Sequence, residues 1–498
     1  MVVNPDIRIV EWIPVCRLSL SVTMTSPDYI RHEHHEFIDA SEKALENGTL
    51  QSILGRLGDT LGARNREAWQ AFDQSDQVRE RARAIKDATL ADLDQHLETL
   101  EASVLSRGGH VHWAADGEAA CRAVLKVLQT HEARMVVKSK SMTSEEIHLN
   151  KALEQAGVEV VETDFGEYII QVAGHRPSHI VGPALHMSSE DVTEVLNQVS
   201  EKPLSNDRVE LAAFARSQLR SRFAAADVGI TGVNFAVAET GSIVLISNEG
   251  NARLTTSLPR VHIAIMGIEK VIPRLADLPF FLKVLARAAT GQKLSIYTSI
   301  VQGKRASDEL DGAEEFHLII LDNGRSQILQ SPLRESLFCI RCGACLNACP
   351  VYRNVGGHAY GGVYAGPIGA VLTPLYGGLR DHHHLPHASS LCGACQAACP
   401  VKIQIPDMLV KLREQLHTSH VVAGRMETFA YRSWAWMLRR PRIYRWVTWL
   451  ISRTLGRVKR RSGWLRRLPG QLGGWTDRRD FPAPAPQRFR DWWKEQGL

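Results

Sequence analysis

At 498 residues the chain is too long for one ordinary hydrophobic core, so two to four domains are expected. Hydrophobic residues make up 44% and charged residues 23%, the balance of a globular protein in water. No run approaches the roughly 18 to 20 apolar residues of a membrane span, and the net charge of +5 is small but unevenly spread.

The first 25 residues read as an N-terminal extension. Asp6, Arg8, Glu11 and Arg17 are scattered through its apolar positions, which argues against a secretory signal. Met24 is an alternative start, because helical patterning begins just after it. Residues 26–107 read as a helical region. Leu50, Ile53, Leu54 and Leu57 recur with helical period, and Leu90, Leu93, Leu97 and Leu100 repeat it. His32, His34 and His35, interleaved with Glu33 and Glu36, and His110 at the boundary lack ligand spacing and read as solvated surface.

From residue 108 to 327 short β-branched runs alternate with helical stretches, the texture of an α/β domain with a largely parallel sheet. Strands are expected at 133–137, 158–161, 241–247, 261–266, 294–299 and 316–321. A helix is expected over 143–156, opened by a capping box of Thr143 and Glu146. Three polar stretches could hold a ligand. Lys138 and Lys140 lie between a strand and a helix N-terminus, a place suited to anions. Glu239 and Thr240 precede a strand. Asn248, Glu249 and Asn251 follow it, at the strand end where open α/β sheets bind ligands. The glycines between 229 and 241 do not fit a dinucleotide fingerprint. No nucleophile elbow, phosphate loop or HExxH is present, so no catalytic residue is assigned.

Residues 328–420 carry seven of the nine cysteines. Cys339, Cys342, Cys345 and Cys349, followed by Pro350, have the C-x2-C-x2-C-x3-C-P spacing that wraps a [4Fe–4S] cluster in two-cluster ferredoxins. Cys392, Cys395 and Cys399, followed by Pro400, form a second copy. In such proteins the fourth cysteine of each run ligates the other cluster. That rule groups Cys339, Cys342 and Cys345 with Cys399, and Cys392 and Cys395 with Cys349. A structural zinc site would not explain the C-x3-C-P tails. The second run is one ligand short, with Ser389 where a cysteine is expected. Its cluster is [3Fe–4S], or [4Fe–4S] completed by Ser389, His387 or water, or it borrows Cys16 or Cys121. Of the histidines before it, His382, His383 and His384 read as solvated. Cysteines arranged as cluster ligands place the chain in a reducing cytoplasm. The 41 residues between Pro350 and Cys392 are rich in glycine and aromatics, with a helix near 368–376, and are too long for a compact ferredoxin.

The tail, residues 421–498, differs from all that precedes it. From Arg425 onward it holds 18 Lys or Arg against five Asp or Glu, and eight of the 11 tryptophans. Trp434, Trp436, Trp446 and Trp449 stand among arginines in helical patterning. This is the composition of a helix lying on a membrane surface or docking on a partner. Nucleic acid is not expected as a partner.

Several of these motifs carry a resemblance. Lys138-Ser-Lys-Ser-Met142, Glu162–Tyr168, Gly229–Gly241, Asn248–Arg253 and Glu314–Arg325 look like a LUD domain. Followed by the cysteine runs, they resemble the lactate utilisation protein B family over about residues 26–420. The resemblance implies an α/β fold of the NagB/RpiA/CoA-transferase kind. It also implies a helical two-cluster ferredoxin domain, similar to that of succinate dehydrogenase iron–sulfur subunits. It further implies a role in oxidising L-lactate to pyruvate beside a cysteine-rich subunit and a second LUD protein. The chain is then expected to be an iron–sulfur electron-transfer subunit of a lactate-oxidising oxidoreductase, in the cytoplasm or at the inner membrane face. A LUD domain catalytic in its own right and a scaffold subunit are the competing readings.

Overall fold

The computed structural model describes residues 34–419, 425–454, 463–468, 479–485 and 487–497, together with residues 473 and 476. The readings placed on the N-terminal extension, on His32 and Glu33, and on Cys16 lie outside the described residues.

Six strands form a parallel sheet: β1 (His110–Ala114), β2 (Met135–Lys138), β3 (Glu159–Glu162), β4 (Val228–Gly232), and two further ones beyond a β-hairpin. The hairpin strands are β5 (Phe235–Val237) and β6 (Ser242–Ser247). After them come β7 (Val261–Gly267), β8 (Val271–Ile272), β9 (Tyr297–Gln302) and β10 (Glu315–Leu321). The parallel sheet has the order β1-β10-β7-β4-β2-β3, and a second, mixed sheet runs β8-β5-β6-β9. All seven residues of β7 are buried, as expected for a central strand covered on both faces.

The two sheets correct the single largely parallel sheet expected from sequence. The strand expected at 241–247 is β6, and it pairs antiparallel with β5, because a turn this short can only reverse the chain. The strand expected at 294–299 lies at Tyr297–Gln302 and pairs with β6 in the same mixed sheet. The expected helix over 143–156 is two helices, Met142–Glu146 and Leu149–Gln155, broken at His148 with φ 52°. Ser141, not Thr143, caps the first, accepting a bond from the Ser144 N–H at 3.2 Å. Glu146 closes no capping box because a buried guanidinium claims its carboxylate.

Four helices, His34–Glu46, Gly48–Gln70, Ser75–Ala91 and Leu93–Ser106, precede the sheet. Their stripe of Leu54, Val78, Ile85, Leu97 and Leu100 enters a core shared with the mixed sheet and the cysteine region. Leu100 is fully buried, and truncating such a leucine to alanine costs about 2–5 kcal/mol. Polar clamps join the same parts. Arg79 donates to the carbonyls of Ala397 and Cys399 at 2.8 and 2.7 Å. Lys402 pairs with Asp76 at 2.7 Å and with Glu80. The cysteine region is therefore set into the same compact unit, up to Thr418, rather than hung on a linker. Its helices are Ala344–Ala348, Gly366–Gly377, Ala394–Ala398 and Ile405–Thr418.

The tail forms a separate unit. Helices Arg425–Leu438 and Pro441–Thr454 pack on each other. Trp434, Trp436, Trp446 and Trp449 are 41–60% exposed, and Arg440 and Arg453 stack over Trp436 and Trp449. Among the described residues no helix is long and apolar enough to cross a membrane.

Candidate metal centres and the adjoining cleft

The two cysteine runs adopt one backbone course twice. In the first, Arg341 (φ 59°) and Gly343 (φ 75°) take left-handed conformations before the helix Ala344–Ala348. In the second, Leu391 (φ 54°) and Gly393 (φ 82°) do the same before Ala394–Ala398. A loop that turns this sharply aims successive cysteines inward, and glycine is the residue that tolerates the turn into the helix.

Cys339, Cys342, Cys345 and Cys399 line a single cavity walled by Ile340, Ile368 and Ile403. Cys349, Cys392 and Cys395 form a second group: Cys395 feels the charge of both others, and Cys349 that of Cys392. None is in a disulfide. Burial, with the neighbouring sulfurs adding to it, pushes the Cys342 and Cys345 thiols up, and burial takes Cys399 to about 12. Several thiolates can crowd this dry pocket only with cations among them, so the donor set fits a metal cluster and binding would release protons. The N–H groups of Ile403 and Tyr352 donate to Cys399 and Cys349 Sγ at 3.3 and 3.5 Å, bonds of the kind that tune cluster potentials.

Around the second group, Ser389 holds the loop position that Cys339 holds in the first, and its hydroxyl accepts from the Leu391 N–H at 3.2 Å. His382 and His384 are buried, which corrects their reading as solvated, and His387 is exposed. The turn around them folds against the helix Gly366–Gly377, and the His384 ring lies 5.5 Å from Phe37. Cys121 lies in the core on the other sheet face, its thiol 3.4 Å from the Ile147 carbonyl, and is not part of the group.

A cleft of about 280 Å³ opens at the C-terminal ends of β2, β4 and β6. Lys140, Asn248, Glu249 and Asn251 line it, and so do two cations that the sequence reading did not single out, Lys270 and Arg341. Cys342 and Arg341 belong both to this cleft and to the four-cysteine cavity. Lys140 Nζ has no hydrogen-bond partner and stands 3.8 Å from Glu167. Burial, then the nearby Arg341, brings Lys270 down to about 8. Burial and Asp164 raise Glu249 to about 6, and the Phe165 N–H donates to it at 3.1 Å. Asn248 is spent on structure, bonded to Gln292 and to the Ile296 N–H.

Two of the sequence candidates are not brought into the cleft. Lys138 is buried in an ion pair with Glu162 at 2.8 Å. Glu239 is exposed and accepts from the Leu275 N–H at 3.0 Å, so it holds a loop. Outside the cleft lining, half-buried Glu145 and buried Glu167 stand beside Lys138 and Lys140. Burial raises Glu145 to about 7; burial and Glu145 together raise Glu167 to about 9. Both therefore titrate where a proton acceptor or donor is useful.

Behind the cleft runs a buried ionic chain. Arg325, fully buried, grips Glu146 with two bonds of 2.8 Å and Glu269 with one of 2.7 Å. Tyr364 donates to Glu146 at 2.5 Å, and Arg341 stands 3.6 Å from Glu269. Burial alone would raise Glu269, but Arg325, Lys270 and Arg341 outweigh it and hold the carboxyl down at about 2. The side chain at Gly267 must be absent, since a Cβ would lie 2.1 Å from Glu269 and 2.4 Å from Arg325. The chain thus ties the first cysteine loop to the sheet.

An α/β domain whose ligand cleft shares a wall with a two-cluster ferredoxin cradle defines an iron–sulfur redox protein. The family models agree: a LUD domain matches residues 97–321, a 4Fe-4S dicluster domain 335–403, and a lactate utilisation protein B C-terminal domain 412–498. Lactate utilization protein B of Shouchella clausii is 46% identical over 91% of this chain and 95% of its own. That of Bacillus pumilus is 45% identical over 91% and 96%. The chain belongs to the lactate utilisation protein B family. A solved DUF162 family protein from Deinococcus radiodurans aligns with 46% of this chain and 98% of its own, at 14% identity and a TM-score of 0.27.

Proposed function

We propose that the protein is the iron–sulfur electron-transfer subunit of an L-lactate-oxidising complex, working beside a cysteine-rich subunit and a second LUD protein. The observation that carries this is the shared wall: Arg341 and Cys342 face both the cationic cleft and the four-cysteine cavity. An organic carboxylate, or a redox group of a partner, seated against Lys140, Lys270 and Arg341 lies next to the first cluster. Oxidation of lactate to pyruvate yields two electrons and two protons. Bound clusters would supply one-electron transfer, so that the pair could be taken up singly. Cys339, Cys342, Cys345 and Cys399 hold a [4Fe–4S] cluster; Cys349, Cys392 and Cys395 hold the second, with Ser389 as its fourth, oxygen ligand. The tail rests on an anionic membrane surface through its arginines and tryptophans, beside the acceptor.

The test is anaerobic. L-lactate added to the cluster-loaded chain alone should leave the cluster absorbance unchanged, and adding the partner subunits should bleach it. Bleaching with pyruvate formation by this chain alone would instead make the LUD domain catalytic. That second reading draws on Glu249, a carboxyl lining the cleft and raised to about 6, which could accept the hydroxyl proton. Failure of the partners to bleach the clusters would remove the electron-transfer reading.

A further inference from the structure

We propose that His110, Glu315 and His317 form a binding site for one divalent transition-metal ion of the zinc class. The site lies at the end of the parallel sheet opposite the cleft. β1 is the edge strand, and it pairs in parallel register with β10 so that His110 stands beside His317. Side chains two apart share a sheet face, so His110, His112, Glu315 and His317 all project on one side. Farther along the same strands that face is apolar, with Ala114, Ile319 and Leu321 packed under the helix Gly117–Thr130. At the strand starts the pattern changes to histidine and glutamate. His131, the residue capping that helix, closes the group, its Nε2 3.3 Å from Glu315 Oε2.

The ligand atoms of His110, Glu315 and His317 lie within 4.8 Å of one another. The His110 and His317 rings stack at 20°, so the exposed His110 ring must turn edge-on for all three to reach one ion at bonds of about 2.0–2.2 Å. His317 is more than nine-tenths buried, and its Nε2 has no hydrogen-bond partner. That nitrogen points at Glu315, 3.6 Å away, which is too long for a hydrogen bond. Its other nitrogen, Nδ1, is 3.0 Å from His112 Nε2. A hydrogen bond at one ring nitrogen, here from His317 Nδ1 to His112, orients the ring and leaves the other nitrogen free to ligate, as in metal-ligating histidines. Imidazole and carboxylate without thiolate select zinc, cobalt, nickel or copper over calcium and magnesium. An ion here would pin the edge strand, and with it the helix Leu93–Ser106 that leads into it, to its neighbour β10.

The full chain, loaded with its clusters and kept anaerobic so that the cysteines are occupied, is titrated with zinc against a chromophoric chelator. One equivalent should bind in the micromolar range or tighter. His110→Gln and Glu315→Gln should each weaken it by about tenfold or more, with cluster absorbance unchanged. Cobalt should give ligand-field bands without sulfur charge transfer, lost in the same variants. Absence of stoichiometric binding, or affinity unchanged in both variants, would overturn the site. Should a variant fail to keep its clusters, the wild-type protein decides. Zinc must slow acylation of exposed His110, read by mass spectrometry, and equal acylation with and without zinc overturns the proposal.

Discussion

The two cysteine loops share a backbone and differ in almost everything around it. The first is buried, has four thiols about its cavity, and carries Arg341, whose charge is anchored by Glu269 in the sheet domain. The second has Leu391 at the equivalent position, three thiols, and an exposed Cys392. One fold of chain thus provides an inner centre beside a cationic cleft and an outer centre near the surface. Under the proposed function the difference implies a direction: electrons would enter at the centre beside the cleft and leave at the one nearer the surface.

The comparison breaks most completely if the first loop loses a thiol. Cys345→Ala should abolish the inner cluster and lactate-dependent reduction, while iron bound by the outer group persists; simultaneous loss of both iron signals would show that the loops are one unit. Arg325→Leu comes next, because it leaves Glu146 and Glu269 buried without their main counter-ion. Breaking such a pair costs about 3–5 kcal/mol, read as a lowered urea midpoint of the anaerobic protein. Ser389→Cys should make the outer loop a copy of the inner one and turn its paramagnetic signature into that of an all-thiolate four-iron cluster, whereas Ser389→Ala should favour a three-iron one. If the spectra of both variants match wild type, Ser389 is not a ligand. Arg341→Leu removes the one charge that most distinguishes the loops and should lower the potential of the inner cluster alone.

The smallest effect concerns pH. The carboxyls of Glu145 and Glu167 are raised by burial above the 4.5 of an exposed glutamate, to about 7 and about 9. Their protonated forms favour the folded state, so this contribution is full below pH 4.5 and is lost as pH rises through 7 and 9. Glu167→Gln should flatten the fall of the urea midpoint between pH 6 and 9; an unchanged slope would assign it to other groups.

Family membership and the cysteine runs were legible because ligand spacing is a local property: a loop that wraps a cluster writes its geometry into consecutive residues. Lys140, Asn248, Glu249 and Asn251 were legible for a similar reason, lying at strand ends next to helix starts. Lys138 looked identical to Lys140 in the sequence, yet it is the last residue of β2, in register with Glu162 of β3, whereas Lys140 lies in the loop beyond the strand. Arg325 ended one of the resembling motifs but its role was not legible, and Lys270 and Glu269 carried no signal, since the ionic chain joins residues up to 179 positions apart. β1 was missed because histidines occupy its alternate positions, where a strand pattern expects apolar side chains.

Arg341 also makes the cleft and the inner centre answer to each other. An anion seated in the cleft neutralises positive charge beside the cysteines, which disfavours the more negative, reduced cluster. The coupling is reciprocal: each electron that arrives loosens the hold on the anion. Under the proposed function, a carboxylate product held there would be loosened by the electrons released in its own formation.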